Sequence, residues 1–207
     1  MLFGISGSAG CGKTTVAKQV AEDLGILFRP TSITECARRH GFDPVAPMSL
    51  TQRVALQKHL LEDHLEMIDG ETRPLIVDRT PIDMLGYMLG EMHMQSHQEL
   101  PGDVLNQVAK YAADCLEATV KHYDQVFVLS PLANYEVSGK RPAENPAYQL
   151  HTHFLMLGGV MQISQRINGF AIINETDLQF RLDTVHDTLT ARMDQIETEK
   201  RASAHIH

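Results

Sequence analysis

No apolar run in this chain approaches the ~18 residues a membrane-spanning helix needs, which argues against a membrane protein. The short apolar start, Met1 to Ile5, runs straight into glycines rather than into a leader's apolar core and cleavage site, and this predicts a cytoplasmic protein. Cysteine is scarce. Cys11, Cys36 and Cys115 are odd in number and lack metal-ligand spacing, so neither a disulfide framework nor a zinc site is expected and a reducing compartment fits. Positive charge is also in deficit. A net charge of −8 argues against a broad surface for nucleic-acid phosphates, while leaving room for a local basic pocket. Internal repeats and low-complexity linkers are missing. The 207 residues suit one sizeable core, with the 43% apolar and 21% charged content of an ordinary globular domain. Eleven histidines are scattered, and the tail His205-Ile206-His207 is too short for a metal tract.

What is present is an alternation of short apolar runs with helical periodicity. Leu2 to Ser6 reads as a buried strand, and Lys13 to Leu24 as a helix closed by Gly25 in the left-handed conformation. Ile26 to Phe28 is a second strand, followed by a short helix over Thr34 to Arg39. Pro44 and Pro47 make Asp43 to Met48 a loop. Ser49 with Gln52 forms a capping box ahead of a long helix that stops at Gly70. Leu75 to Asp78 is a third strand ending on an acid, and Pro81 suits the first turn of the next helix. Helix over 103–122, strand over 126–129, helix over 148–167, strand over 170–173 and a final helix through Ile196, beyond which the charged tail frays, complete the chain. Strands without polar alternation, each followed by a helix, predict a single doubly wound α/β domain spanning 1–207.

The most informative segment is Gly7-Ser8-Ala9-Gly10-Cys11-Gly12-Lys13-Thr14, a complete phosphate-binding loop between a buried strand and a strong helix. Gly7 and Gly12 let the backbone curl so that successive N–H groups converge on a β-phosphate, and the helix adds its positive end there. Small residues Ser8, Ala9, Gly10 and Cys11 permit close approach. Lys13 is placed between the β- and γ-phosphates. Thr14 offers a hydroxyl to Mg²⁺, with Thr15 beside it in the same first turn.

Metal-assisted phosphoryl transfer needs a carboxylate at a neighbouring strand end, and Asp78 is the candidate; the other role open to it is capping the helix near Pro81. Arg79 suits an acceptor phosphate. Asp83 is either an acceptor-site group or a structural partner of the helix start. Lys140 and Arg141, in a glycine-containing loop spanning about 131–147, suit a lid in which Arg141 neutralises charge on the transferred group. A solvated basic turn is the other reading. Arg38, Arg39 and Arg53 fall on helices where an acceptor pocket would be built or where surface charges sit. The turn Asn174 to Asp177 lies on the sheet edge that carries the phosphate loop.

These residues resemble a family of small P-loop kinase-like proteins that includes nicotinamide riboside kinase domains and phage and bacterial ATPases. The resemblance rests on Gly7 to Thr14, Glu35-Cys36-Ala37-Arg38, Gly41-Phe42-Asp43-Pro44, Asp78-Arg79-Thr80-Pro81-Ile82-Asp83 with Tyr87, and Gly139-Lys140-Arg141-Pro142. It implies a three-layer fold with a five-stranded parallel sheet in the order 2-3-1-4-5. The Asp-Arg pair is also similar to that of thymidylate and other deoxynucleoside monophosphate kinases, although Thr80 stands where they carry tyrosine. The implied activity is ATP- and Mg²⁺-dependent transfer of a phosphoryl group to a nucleoside, a nucleotide or a related acceptor. In that scheme Lys13, Asp78 and Arg141 are catalytic, Gly7 to Thr15 with Lys140 hold the nucleotide, Thr14 and Asp78 hold the metal, and Arg79, Arg38 and Asp83 face the acceptor. Two rivals stand beside it: a phage-type kinase acting on hydroxymethylpyrimidines in DNA, which the acidic charge disfavours, and a nucleotide-dependent ATPase or GTPase switch. No Asn/Thr-Lys-x-Asp guanine motif accompanies the latter.

Overall fold

A computed structural model describes residues 1–43, 46–94, 102–133 and 145–204. Five strands, β1 (Leu2–Gly7), β2 (Leu27–Arg29), β3 (Leu75–Val77), β4 (Gln125–Leu129) and β5 (Phe170–Ile173), form one parallel sheet in the order β2-β3-β1-β4-β5. The helices are α1 (Lys13–Leu24), α2 (Ile33–Arg39), α3 (Leu50–Ile68), α4 (Pro81–Met94), α5 (Gly102–His122), α6 (Pro146–Ile163) and α7 (Leu178–Ala204).

Alternation along the strands divides the core. Phe3 and Ile5 of β1, Phe127 and Leu129 of β4 and Ile173 of β5 pack with Val16, Ala17 and Val20 of α1 and with Val185 and Leu189 of α7. Leu2, Leu75, Val77, Val126 and Val128 point the other way, toward Ile82 of α4 and Met156, Val160 and Ile163 of α6. Both faces are therefore covered, which is why the central strands carry no polar alternation. A third cluster, built from α2, α3, α4 and α5, lies outside the second face. On the second face itself, α4 and α6 approach closely. A Cβ on Gly86 would stand 2.6 Å from Met156 Cγ, and one on Gly159 would stand 2.6 Å from Leu85 Cδ2.

Several local expectations are met by their expected chemistry. Gly25 closes α1 at φ 64°, and Ser49 with Gln52 forms the capping box of α3. At the chain's far end the structure departs from expectation. The charged segment past Ile196 stays helical to Ala204, carried by Lys200–Glu197 and by Gln195 Nε2 donating to Glu199 Oε1 at 2.8 Å. Helix α6 stops at Ile163, short of Ile167, with Ser164 at its cap. No helix among the described residues is long and apolar enough to cross a membrane.

Candidate active site

The C-terminal ends of β1, β3 and β4 converge on the loop between β1 and α1. Gly7 (φ 152°) and Gly12 (φ 90°) hold conformations that L side chains avoid, and a Cβ on Gly7 would stand 2.6 Å from Cys11 Sγ and 2.8 Å from the Leu129 carbonyl. The loop's carbonyls are taken up by side chains from around it. Lys13 Nζ donates to Gly7 O at 2.7 Å and Ser8 O at 2.9 Å. Gln149 Nε2, from α6, donates to Ala9 O at 2.7 Å, and Arg181 Nη1, from α7, donates to Cys11 O at 2.5 Å. With these carbonyls met by side chains, the loop's remaining peptide N–H groups are the donors an anion cradle requires.

Two carboxylates flank this loop and do different things. Asp78, at the end of β3, accepts from Thr14 Oγ1 at 2.6 Å and from the Thr31 backbone N–H at 2.9 Å. It does not cap α4, because Thr80 does: its hydroxyl accepts from the Ile82 N–H at 3.1 Å. Asp83 supports that cap from behind, accepting the Thr80 N–H at 3.0 Å and the Gly7 N–H at 3.2 Å, and its Oδ1 lies 3.8 Å from Lys13 Nζ. Burial pushes the Asp83 carboxyl above the ordinary carboxylate range, against the pull of Lys13 and the Thr80 amide. Burial also works against the Lys13 charge, but the fields of Cys11, Asp83 and Tyr87 outweigh it and hold the ammonium above the ordinary lysine value.

The hydroxyl of Thr14 and the carboxylate of Asp78 are hard oxygen donors side by side at the start of α1, a donor set that fits Mg²⁺ better than a softer metal. In the loop, Ser8 Oγ is buried without a hydrogen bond among the described residues. Arg79 is half-buried and forms no hydrogen bond or ion pair among the described residues, yet its charge is felt at Lys13, Asp83 and Tyr87. The Tyr87 hydroxyl is buried without a partner among the described residues, its ring centroid lies 6.4 Å from that of Tyr148, and burial raises its pKa. Beyond them Arg53 Nε meets Glu91 Oε2 at 2.6 Å. Burial raises the Tyr148 phenol to about 12, with Glu91 adding to the shift.

Thr15 is exposed on α1, and Arg38 is exposed on α2 without a partner among the described residues. Lys140 and Arg141, expected to lie in a lid, fall outside the described residues, and so does the rest of 134–144. Asn145 caps α6 by accepting from the Tyr148 N–H at 3.0 Å, and Pro146 opens that helix.

A model of the family described as "AAA domain" matches residues 2–163, from β1 to the end of α6. The chain belongs to this AAA domain family. No curated protein sequence matches the domain. Among solved structures, its fold is similar to that of a deoxyadenosine kinase from M. mycoides with bound dCTP, at 14% identity and TM-score 0.63, covering 92% of this chain and all of that one. It is also similar to NadR protein in complex with NR, at 15% identity and TM-score 0.67, covering 92% of this chain and 51% of that one. At such identities the likeness is one of fold.

Sequence reasoning missed Arg181, Gln149, Tyr148 and Glu91. Arg181 had a readable signal, because it occupies a core-facing position four residues before Val185 and eight before Leu189. It is 1% exposed, and besides Cys11 O it donates to Ser130 O at 2.8 Å and Glu175 O at 2.6 Å. No carboxylate pairs with it among the described residues, and burial pulls its pKa below the ordinary arginine value. One guanidinium thus ties the phosphate loop to the ends of β4 and β5, outside the stretch that the family model matches.

Proposed function

We propose that this AAA domain is an ATP- and Mg²⁺-dependent phosphotransferase whose acceptor is a nucleoside, a nucleotide or a close relative. The observation that carries the proposal is the Thr14–Asp78 hydrogen bond of 2.6 Å beside a phosphate loop whose lysine is buried and charged. Loop amides and Lys13 would hold the β- and γ-phosphates, and Thr14 and Asp78 would hold the metal. When bound, Mg²⁺ supplies charge neutralisation across the triphosphate. The protein's share is positioning and electrostatics, with little covalent chemistry to perform.

The acceptor is assigned to the side of the loop where Arg79, Tyr87, Tyr148 and the Arg53–Glu91 pair gather. An arginine without a partner among the described residues suits an acceptor phosphate or hydroxyl, and two tyrosines suit a planar base. Asp78 would accept the acceptor's proton, and Arg141 and Lys140 remain the cations proposed to close on the nucleotide.

The test is a screen with γ-labelled ATP against nucleosides, nucleoside monophosphates and hydroxymethyl-containing duplex DNA. Label in a free nucleoside or nucleotide supports the proposal. Label in duplex alone establishes a DNA-base kinase, and release of inorganic phosphate with no labelled acceptor establishes a hydrolytic switch.

A further inference from the structure

Away from the phosphate loop, three side chains of different chemistry meet between α2 and α3. Cys36 and His40 stand four residues apart, so both face the same way from α2 and its cap, and Asp63 faces them from the middle of α3. One ligand atom from each, the thiol sulfur, a ring nitrogen and a carboxylate oxygen, all lie within 4.8 Å of one another, and His40 Nε2 is 3.0 Å from Asp63 Oδ1. Tetrahedral zinc, with bonds of about 2.0–2.3 Å, sets its ligand atoms roughly 3.4–3.7 Å apart. Shifts of about 1 Å shared among the side chains bring the three into that range.

The surroundings leave room for the ion. Among the described residues Asp63 Oδ2 is buried without a well-formed hydrogen bond; Arg39 lies 3.4 Å from it on a side chain that is 63% exposed, and the Cys36 thiol already engages the Asp63 carboxylate. The His40 ring is fixed by stacking on His59, with centroids 4.0 Å apart and planes within 6°. A cavity of about 360 Å³ adjoins Cys36 and Asp63, and it is also lined by Thr31, Glu35 and Glu66.

We infer that Cys36, His40 and Asp63 form a binding site for a zinc-type divalent ion, with the fourth coordination position open to a water in the cavity. A thiolate, an imidazole and a carboxylate select zinc over magnesium, so this site is chemically separate from the Thr14–Asp78 pair. Cysteine spacing alone misses it, because only one ligand is a cysteine and the ligands come from two helices. The ion would clip the seven-residue α2 to α3. The segment entering α2 carries Thr31, whose N–H donates to Asp78, so the clip would also steady one contact of the phosphate site. The inference stands whether or not the phosphotransferase reading does.

The test uses the full chain with His205→Ala and His207→Ala, which removes the rival tail ligands, after stripping with a chelator. Cobalt titration should give one equivalent with a thiolate-to-metal charge-transfer band. Zinc should displace the cobalt and raise the Tm. Cys36→Ser should remove the band, and the near-isosteric Asp63→Asn should weaken zinc of the order of 100-fold, while Cys115→Ser changes neither. A band that survives Cys36→Ser, zinc affinity equal in Asp63→Asn and the parent, or no stoichiometric binding at all would each overturn the assignment.

Discussion

Arg181→Met asks whether one buried guanidinium organises the phosphate loop. The native side chain donates to Cys11 O, Ser130 O and Glu175 O at 2.5–2.8 Å and is 1% exposed. Methionine fills a similar length of stem and donates nothing, so three carbonyls lose a charged donor. A buried acceptor left unmet costs ~1–3 kcal/mol. The substitution also removes the cost of burying a charge, and water can reach carbonyls at strand ends, so the lower figure applies to each. The expected loss is about 3 kcal/mol in urea unfolding. Because Cys11 O is part of the cradle, ATP affinity should also fall about tenfold, equivalent to ~1.4 kcal/mol. Arg181→Lys keeps the charge but not the fork, and should lose roughly half as much as Arg181→Met. The reasoning is refuted if Arg181→Met unfolds within about 0.5 kcal/mol of the parent and binds ATP equally well.

Other substitutions probe the same architecture. Lys13→Ala should lower phosphoryl transfer by about 10²-fold or more while leaving the circular dichroism spectrum intact; full activity would remove the mechanism. Asp83→Ala strands the Lys13 charge and the Gly7 and Thr80 amides, and should cost about 3–5 kcal/mol by denaturant titration. Burial, aided by His122, holds the His64 imidazole down at about 4, and the ring is hydrogen-bonded to Tyr123 Oη at 2.6 Å. Unfolding raises its pKa to the ordinary 6.5, so below that value the unfolded chain binds the extra proton. The stability from this group is therefore complete above pH 6.5 and is lost as pH falls toward 4, by about 3 kcal/mol at most. His64→Gln should flatten that part of the pH–stability curve, and an unchanged slope would assign it to other groups.

Much of this architecture was legible because it depends on neighbouring residues. The loop from Gly7 to Thr14, the glycine stop at Gly25 and the Ser49–Gln52 box are local chemistry, and each forms as its spacing requires. The strand order followed from the family resemblance and not from periodicity. Asp78 stood out because it ends an apolar strand, but its Thr14 partner lies 64 residues away. The supports of the loop were hidden for the same reason. Gln149 sits 140 residues from the carbonyl it holds and Arg181 sits 170 away, and neither belongs to a motif. The end of α7 departs from the expectation of a frayed tail because charge alone does not end a helix, and side-chain pairs such as Gln195–Glu199 and Lys200–Glu197 carry it to Ala204.

The central claim is tested most directly by a crystal structure with a non-hydrolysable ATP analogue and Mg²⁺. The account predicts a triphosphate in the loop, Lys13 Nζ moved from Gly7 O and Ser8 O onto the β- and γ-oxygens, and the metal between Thr14 and Asp78. An ordered loop with Lys13 still on its own carbonyls, in crystals saturated with the analogue, would contradict it.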